Sequence, residues 1–376
     1  MRRIIVGGCY AQRNASELAT RYPEVDCFIG IDQAPRIHEI VRALVSRPGG
    51  KPLVEVSDGA PRWLYDDSTP RIQVTSPSYA YVKIAEGCNH RCAFCAIPGI
   101  RGDLRSRQPE SVVAECRQLL SNGVRELDLI AQDSTAYGYD LAPRPSLAGL
   151  LRRLDELPGD FWIRVLYTHP LHLTPEFLEV LGGSRHVVPY LDVPLQHISD
   201  PILKSMRRGM TSARTRELLL SIREKWPSMV IRTTFMTGYP GETEEAFRQL
   251  LDFTREMRFD RMGAFAFSPE PGTPAAQIQD GLVPPEVAEE RRAMLLDLQR
   301  EISRERNRGW LGKKLRVLVE EPLAKGLWSA RGAGEAPEVD PQVFVKAPAT
   351  RPPKANSFMD VKVTRADDYD LTAQPL

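Results

Sequence analysis

Three of the chain's six cysteines, Cys88, Cys92 and Cys95, lie within eight residues. This tight Cys-x3-Cys-x2-Cys spacing is typical of a metal site, because the thiolates of one short loop can reach a single ion or cluster. Three thiolates leave the tetrahedral shell of a structural zinc incomplete, and His90 is the nearest fourth ligand for that alternative. We favour a 4Fe-4S cluster in which one iron keeps a position open for a substrate or cofactor.

Length, net charge and cysteine content limit the classes of protein to which this chain can belong. The chain has 376 residues and a net charge of +1 at pH 7. Its length predicts about two or three domains. A net charge so close to zero argues against non-specific binding of nucleic acid through the overall electrostatic field of the protein. It is compatible with a local basic patch. There is no apolar run of about eighteen residues, and the clustered cysteines indicate a reducing compartment, so we expect a cytoplasmic protein with no membrane partner.

The first fifty residues have the pattern of a βαβα unit, with predicted strands at 3–8 and 25–31 and predicted helices at 15–21 and 35–45. Two strands and a covering helix leave apolar faces unmatched. We therefore expect residues 1–50 to be the remnant of an N-terminal α/β domain whose front precedes Met1. Residues 51–76, rich in proline and glycine, are predicted to be a linker.

The three cysteines outside the loop differ in their predicted surroundings. Cys9 ends the first predicted strand, where a loop presents its thiol. Cys27 lies inside the second predicted strand, and Cys116 lies on the apolar face of a predicted helix. Both are predicted to be small core residues.

Residues 77–309 alternate strands with helices, which predicts a parallel sheet that closes partly or wholly into a barrel. In such barrels the active site gathers at the carboxyl ends of the strands. The cysteine loop follows the first predicted strand, and polar residues follow each of the others. The predicted strands are 80–85, 126–131, 162–167, 189–194, 229–236 and 261–267, and a long amphipathic helix at 285–308 is expected to pack back on the barrel.

The last segment, 310–376, changes to apolar and polar alternation. The runs at 315–319, 343–345 and 359–363 are short and are separated by turns rich in glycine and proline. They predict a small β-barrel of about 65 residues.

Eight sequence runs together resemble the radical S-adenosylmethionine (SAM) methylthiotransferases: 86–98, 101–102, 105–107, 131–135, 192–197, 232–235, 238–243 and 268–273. The resemblance extends over essentially the whole chain. It implies an α/β fold with a radical SAM (β/α) barrel at 77–309. A partial N-terminal α/β domain is expected before that barrel, and a small β-barrel of the TRAM type after it.

The resemblance also implies the cofactors. SAM is expected to chelate the open iron of the 4Fe-4S cluster held by the loop cysteines. An auxiliary 4Fe-4S cluster is bound in this family by three cysteines of the N-terminal domain, and Cys9 looks like the last of them. We expect the other two to precede Met1 in a full-length protein that binds this second cluster, because Cys27 does not match their positions. Tentative SAM contacts are Phe94, Gln132, Gln196, Arg232 and Gly238, and no catalytic residue is expected beyond the cluster ligands.

Within the family, the 131–133 run and the ending 365–371 resemble the RimO type. That type implies a transferase that adds a methylthio group to the β-carbon of an aspartate in the twelfth protein of the small ribosomal subunit. An electron donor such as flavodoxin or ferredoxin is implied as a partner. His169 and His197 lie near strand ends, where a structural role is expected to be commoner than acid/base chemistry.

Two other functions remain open at this point. One is the same chemistry on transfer RNA, as in the MiaB type. Residues 311–376 carry ten lysines and arginines against nine acidic residues, which is less basic than expected of a barrel that grips RNA. The other is a non-catalytic, zinc-containing RNA-binding protein.

Overall fold

The computed structural model describes residues 2–47, 49–74, 76–348 and 350–376. Met1, Pro48, Thr75 and Ala349, which fall in the predicted N-terminal segment, linker and terminal barrel, lie outside the described residues. The chain forms two compact units. The N-terminal unit comprises Met1–Tyr65, Glu86–Arg91 and Cys95–Arg105, and the barrel unit comprises Asp66–Ala85, Cys92–Phe94 and Ser106–Leu376.

The N-terminal unit contains a parallel three-stranded sheet. Its strands are β1 (Ile5–Gly7), β2 (Cys27–Ile29) and β3 (Leu53–Glu55), in that spatial order, with helices α1 (Cys9–Arg21) and α2 (Ile37–Ser46). Successive residues of β2 point to opposite faces of the sheet and pack in two different apolar clusters. Phe28 packs with residues of α1, whereas Cys27 packs with residues of α2. Cys27 is fully buried, as predicted.

Two details of this unit differ from what the sequence pattern predicts. The helix predicted at 15–21 is preceded by additional helical residues from Cys9, because Gly8 adopts a positive φ of 122° and turns the chain directly from strand to helix; a kink at Asn14, with a φ of −123°, separates them from the predicted part. The segment predicted as a linker contributes β3. A three-residue strand between prolines and glycines has too few residues for alternation to reveal it.

The barrel unit contains six parallel strands that match the six predicted ones to within two residues at each end. They form two three-stranded sheets, β4-β7-β8 and β9-β10-β11. Backbone hydrogen bonds from Thr168 to Asp192 and from Val188 to Ile163 join the two sheets. The strands of this part of the chain are β4 (Tyr79–Lys83), β5 (Ala85–Glu86), β6 (Arg105–Ser106), β7 (Glu126–Ile130), β8 (Trp162–Val165), β9 (Tyr190–Asp192), β10 (Val230–Thr237) and β11 (Arg261–Ala266).

Helices alternate with these strands and cover the sheets through apolar faces. Thr243 caps α9 by accepting a hydrogen bond from the Ala246 N–H, and the buried face of that helix carries Phe247, Leu250 and Thr254. Cys116 of α4 is fully buried, as predicted. The helices are α3 (Ile97–Arg101), α4 (Pro109–Ser121), α5 (Leu147–Asp155), α6 (Pro175–Gly183), α7 (Asp200–Ser205), α8 (Ser212–Lys225), α9 (Glu244–Met257) and α10 (Pro285–Arg308).

The C-terminal strands close into a five-stranded barrel in the order β12-β13-β14-β16-β15. Closure removes the exposed strand edges that an open sheet of this size would present. Its core consists of small and β-branched residues from alternate positions, among them Val317, Val319, Val343 and Val361. The strands are β12 (Lys314–Ala324), β13 (Leu327–Gly332), β14 (Val343–Lys346), β15 (Ser357–Ala366) and β16 (Leu371–Pro375).

A buried cluster of charges joins this small barrel to the large one. Glu126 of β7 lies between Arg164 of β8, at 2.8 Å, and Arg331 of β13, at 2.6 Å. Burial opposes ionisation of Glu126, but the attraction of Arg331 and Arg164 outweighs it and lowers its pKa. Burial and the repulsion of Glu126 raise the pKa of neighbouring Asp128 well above its ordinary value. The two neighbouring carboxyl groups of this network therefore have pKa values shifted in opposite directions.

None of the described helices is both long and apolar enough to cross a lipid bilayer.

Candidate metal centre and cofactor site

The beginning of the cysteine loop is shaped within the N-terminal unit. Gly87 has a φ of +80°, and a Cβ at this position would lie 2.2 Å from the carbonyl oxygen of Asp103. Only glycine fits so close an approach of two backbones. Asn89 accepts a hydrogen bond from the Leu104 N–H at 3.0 Å, and Arg91 donates to the Cys88 carbonyl at 2.9 Å. These contacts hold the backbone on both sides of Cys88.

The middle of the loop, Cys92–Phe94, is docked within the barrel unit. The Ala93 N–H donates to the Met206 carbonyl at 3.0 Å, and the Ala93 carbonyl accepts from the Ala275 N–H at 2.8 Å. Cys92 is 7% exposed, and its sulfur accepts a hydrogen bond from Arg208 at 3.5 Å. Cys92 is thus held in a buried position by backbone bonds to two separate elements.

Phe94 lies beside an apolar cluster of the barrel unit that includes Ala93, Met206 and Tyr239. It is half-buried, so part of its ring faces away from that cluster. This placement is compatible with the predicted contact to SAM, which stays a prediction.

Cys9 and Arg101 meet within the N-terminal unit. Arg101, the last residue of α3, donates to the Cys9 sulfur at 2.9 Å. Its other terminal nitrogen contacts the buried Glu86 carboxylate at 2.5 Å. Arg101 therefore connects a thiol of the first helix turn with the residue that precedes Gly87 and the cysteine loop.

Gln132 and Gln196 follow strands β7 and β9, at the carboxyl ends where the sequence predicted them. Both are half-buried. Gln196 has a φ of 73° and Tyr167, after β8, has a φ of 61°, conformations that are unfavourable for residues with a side chain. Such strain collects at functional sites, where the surrounding structure holds it in place.

Arg232 lies within β10, and its guanidinium contacts two carboxylates. Asp192 is 3.2 Å away and Asp340 is 3.4 Å away. Asp192 also accepts a hydrogen bond from the Tyr167 N–H at 2.8 Å, and burial raises its pKa despite the nearby arginine. Arg232 is thereby engaged in the structure of the strand ends, and its contact with SAM remains a prediction.

At Gly238, just after β10, the chain turns and its backbone passes close to helix α10. Its φ is +73°, and a Cβ there would lie 2.2 Å from the Cβ of Ala288. Glycine is therefore required by both conformation and space, and the predicted contact of Gly238 with SAM stays a prediction.

The two histidines near strand ends are buried. His197 donates through Nε2 to Glu242 at 3.3 Å, because its Nδ1 accepts from the Ser199 N–H at 3.0 Å. Arg291 contacts the same Glu242 at 2.7 Å. His169 accepts from the Leu171 N–H through Nδ1. Both rings make hydrogen bonds with neighbouring groups, and the structural role expected for them stays a prediction.

The residues of the loop fit an iron–sulfur cluster. None of the six cysteines forms a disulfide. The buried guanidinium of Arg208 is directed at the Cys92 sulfur, which suits a thiolate in an anionic cluster. Three thiolates also leave one iron open, as SAM chelation requires.

Sequence reasoning missed two arginines, Arg208 and Arg101, that contact cysteine sulfurs. Neither stands out in the sequence, because Arg208 lies just after the short helix α7, Arg101 ends the short helix α3, and periodicity revealed neither helix. Nothing in the sequence spacing links either arginine to the cysteine that it contacts.

Comparison with known protein families identifies two domains in this chain. The family model for the Radical SAM superfamily matches residues 82–254, and that for the TRAM domain matches residues 311–376. One solved structure, the radical SAM methyltransferase TsrM from Kitasatospora setae, has a TM-score of 0.44 and 21% identity, over 52% of this chain and 36% of that one.

Full-length relatives identify the family more narrowly. The ribosomal protein uS12 methylthiotransferase RimO of Heliobacterium modesticaldum is 45% identical over 375 residues, covering 100% of this chain and 80% of that protein. RimO of Desulfitobacterium hafniense is 41% identical over 371 residues, covering 99% and 82% respectively. The chain therefore belongs to the RimO family of ribosomal protein uS12 methylthiotransferases, which are radical SAM transferases.

Proposed function

We propose that this enzyme transfers a methylthio group to the β-carbon of an aspartate in ribosomal protein uS12. The observation that carries the proposal is the three-cysteine loop, which follows β4, the first strand of the parallel barrel, after the two-residue strand β5. Chemistry in barrels of this kind is located at the carboxyl ends of the strands. The family then supplies the substrate, since relatives at 45% and 41% identity carry the uS12 name.

Membership of the radical SAM superfamily implies a 4Fe-4S cluster and SAM. We assign the cluster to Cys88, Cys92 and Cys95. A cluster held there would supply the electron for reductive cleavage of SAM. The chain itself keeps Cys92 buried and packs an apolar cluster beside it, which excludes water from a site where a radical must meet only its substrate.

For SAM we propose contacts from Phe94, Gln132, Gln196 and Gly238. The half-buried ring of Phe94 offers an apolar face for the adenine, and the two amides offer donors and acceptors for polar groups. Gly238 allows the backbone to approach closely. We include Arg232 in this set. Its alternative role is structural, through its ion pairs with Asp192 and Asp340.

We propose Cys9 as a ligand of an auxiliary 4Fe-4S cluster. Support comes from Arg101, which places a positive charge 2.9 Å from the Cys9 sulfur, where a ligand of an anionic cluster would benefit from it. The test is to quantify iron and sulfide per chain after reconstitution, for Cys9→Ser and for the matched control Cys27→Ser, which alters a buried thiol of the same unit. Cys9→Ser should bind less iron than the control. Equal iron in both variants would remove Cys9 from the ligand set.

The partners follow from the reaction. We propose uS12 in the small ribosomal subunit as the substrate, a low-potential donor such as flavodoxin or ferredoxin for the electron, and the cytoplasm as the place where they meet. The nearly balanced charge of residues 311–376 supports a protein substrate over transfer RNA.

The direct test uses reconstituted enzyme with a chemical reductant and SAM. The small ribosomal subunit and, separately, transfer RNA are offered as substrates, and SAM cleavage and substrate mass are measured. We expect cleavage in both samples and a methylthio group on uS12 alone. A methylthio group on transfer RNA would reverse the assignment, and absence of SAM cleavage would exclude the radical mechanism.

A further inference from the structure

Arg208 is a buried arginine for which the described residues offer no carboxylate partner. It is 5% exposed, and within the described ranges no carboxylate oxygen lies within 4.0 Å of its guanidinium nitrogens. One terminal nitrogen donates to the Pro194 carbonyl at 2.6 Å. The Nε atom is buried and finds no hydrogen-bond partner among the residues that the structure describes. An isolated buried charge is strongly unfavourable, so a counter-charge is needed beside it.

The remaining terminal nitrogen of Arg208 identifies where that counter-charge lies. It donates to the Cys92 sulfur at 3.5 Å, within the distance expected for a sulfur acceptor. A neutral thiol would be a weak acceptor and would bring no charge. A thiolate that ligates an iron–sulfur cluster is anionic, and the whole cluster with its thiolates is negatively charged.

The fold places Arg208 there through the end of α7. Arg207 adopts a left-handed conformation with a φ of 57°. Its N–H bonds to the Lys204 carbonyl, and the Arg208 N–H bonds to the Leu203 carbonyl. These two bonds form a Schellman motif, which reverses the chain after the helix. Arg207 is left exposed, while Arg208 is buried.

The same turn also holds the cysteine segment. Met206, two residues before Arg208, accepts the hydrogen bond from the Ala93 N–H at 3.0 Å. The position of Arg208 relative to Cys92 is therefore set by backbone bonds on both sides. A guanidinium held in this way is preorganised toward the sulfur and needs no rearrangement when the charge on the cluster changes.

We propose that Arg208 is the counter-ion of the cluster bound by Cys88, Cys92 and Cys95 and that it raises the reduction potential of this cluster. The proposal rests on the proposed function, since it takes the loop as the cluster site. One-electron reduction adds a negative charge to the cluster, so a fixed positive charge at a ligand sulfur stabilises the reduced form more than the oxidised form. Arg208 is thus a positioning residue that sets how strong an electron donor must be.

The test is a potentiometric titration of the full chain, with titanium(III) citrate as reductant and the EPR signal of the reduced cluster as readout. All proteins carry Cys9→Ser, so that the signal comes from one cluster. The variants are Arg208→Gln, which removes the charge, Arg208→Lys, which keeps it, and Arg207→Gln, which removes the adjacent exposed charge. Iron content and thermal unfolding are measured for each.

We expect Arg208→Gln to lower the equilibrium constant for reduction about tenfold, which is about 59 mV toward negative potential for one electron. Arg208→Lys should shift less, and Arg207→Gln should match the parent. If Arg208→Gln fails to bind iron while Arg208→Lys binds it, the requirement for charge is also supported.

Two results would overturn the proposal. One is an unchanged potential in Arg208→Gln with full iron content. The other is loss of the cluster in both Arg208 variants while they remain folded, because the side chain would then act through its shape. A parent protein that binds no 4Fe-4S cluster would instead refute the proposed function, and the two failures are therefore distinguishable.

Discussion

Replacing Arg331 by methionine tests how the small terminal barrel is held against the large one. Arg331 is 2% exposed, and Glu126, its partner at 2.6 Å, is completely buried. The substitution leaves Glu126 with Arg164 as its remaining cation, at 2.8 Å. Removing one partner of a buried ion pair typically costs about 3–5 kcal/mol, because the other charge stays buried without full compensation. Since Arg164 remains, we expect the lower end, about 3 kcal/mol.

The assay is urea unfolding, with the change in free energy taken from the midpoint at constant slope. Lys314→Met is the matched control, because it breaks an exposed ion pair with Asp360 in the same small barrel and should cost less than about 1 kcal/mol. The double variant Arg331→Met with Glu126→Gln should recover part of the loss. A change below about 1 kcal/mol for Arg331→Met, equal to the control, would refute the reasoning from a buried uncompensated charge.

Three further predictions concern single positions. Cys92→Ala should abolish SAM cleavage and lower iron content, whereas Cys116→Ala, which alters a buried cysteine of α4, should retain its iron; equal iron loss in both would contradict the ligand assignment. Gly238→Ala should destabilise the protein by about 2 kcal/mol or more in thermal unfolding, since the new methyl group meets Ala288 at a positive φ; an unchanged midpoint would show that α10 yields without cost. The raised pKa of Asp128 means that the folded protein keeps a proton that the unfolded chain releases above the ordinary pKa of 3.8, so this group makes stability fall as pH rises from there. Asp128→Asn should remove that decrease in the free energy of unfolding as the pH rises above 3.8, and a pH profile parallel to that of the parent would contradict it.

The central sheet was predictable because its strands are apolar runs bounded by turn residues and separated by helices with clear periodicity. The strands from β7 to β11 all show this pattern. Strand β3 and helices α3 and α7 were missed for a common reason. Each is three to six residues long, so its conformation is set by contacts distant in sequence and not by a repeating local pattern.

For the candidate site, the cysteine ligands were predictable from the sequence, whereas the arginines beside them were not. The spacing of Cys88, Cys92 and Cys95 indicates a cluster without any structure, because the ligands are close in sequence. The arginines that contact the sulfurs are distant in sequence from the cysteines. Arg208 lies 116 residues from Cys92, and Arg101 lies 92 residues from Cys9. Such pairs arise from the fold, and sequence spacing carries no trace of them.

The most direct test of the central claim is mass spectrometry of ribosomal protein uS12 from cells that express this enzyme and from the same cells after deletion of its gene. We expect one aspartate of uS12 to carry a methylthio group in the first sample and to be unmodified in the second. An aspartate that carries the group in both samples, or in neither, would contradict the assignment of this chain as the uS12 methylthiotransferase.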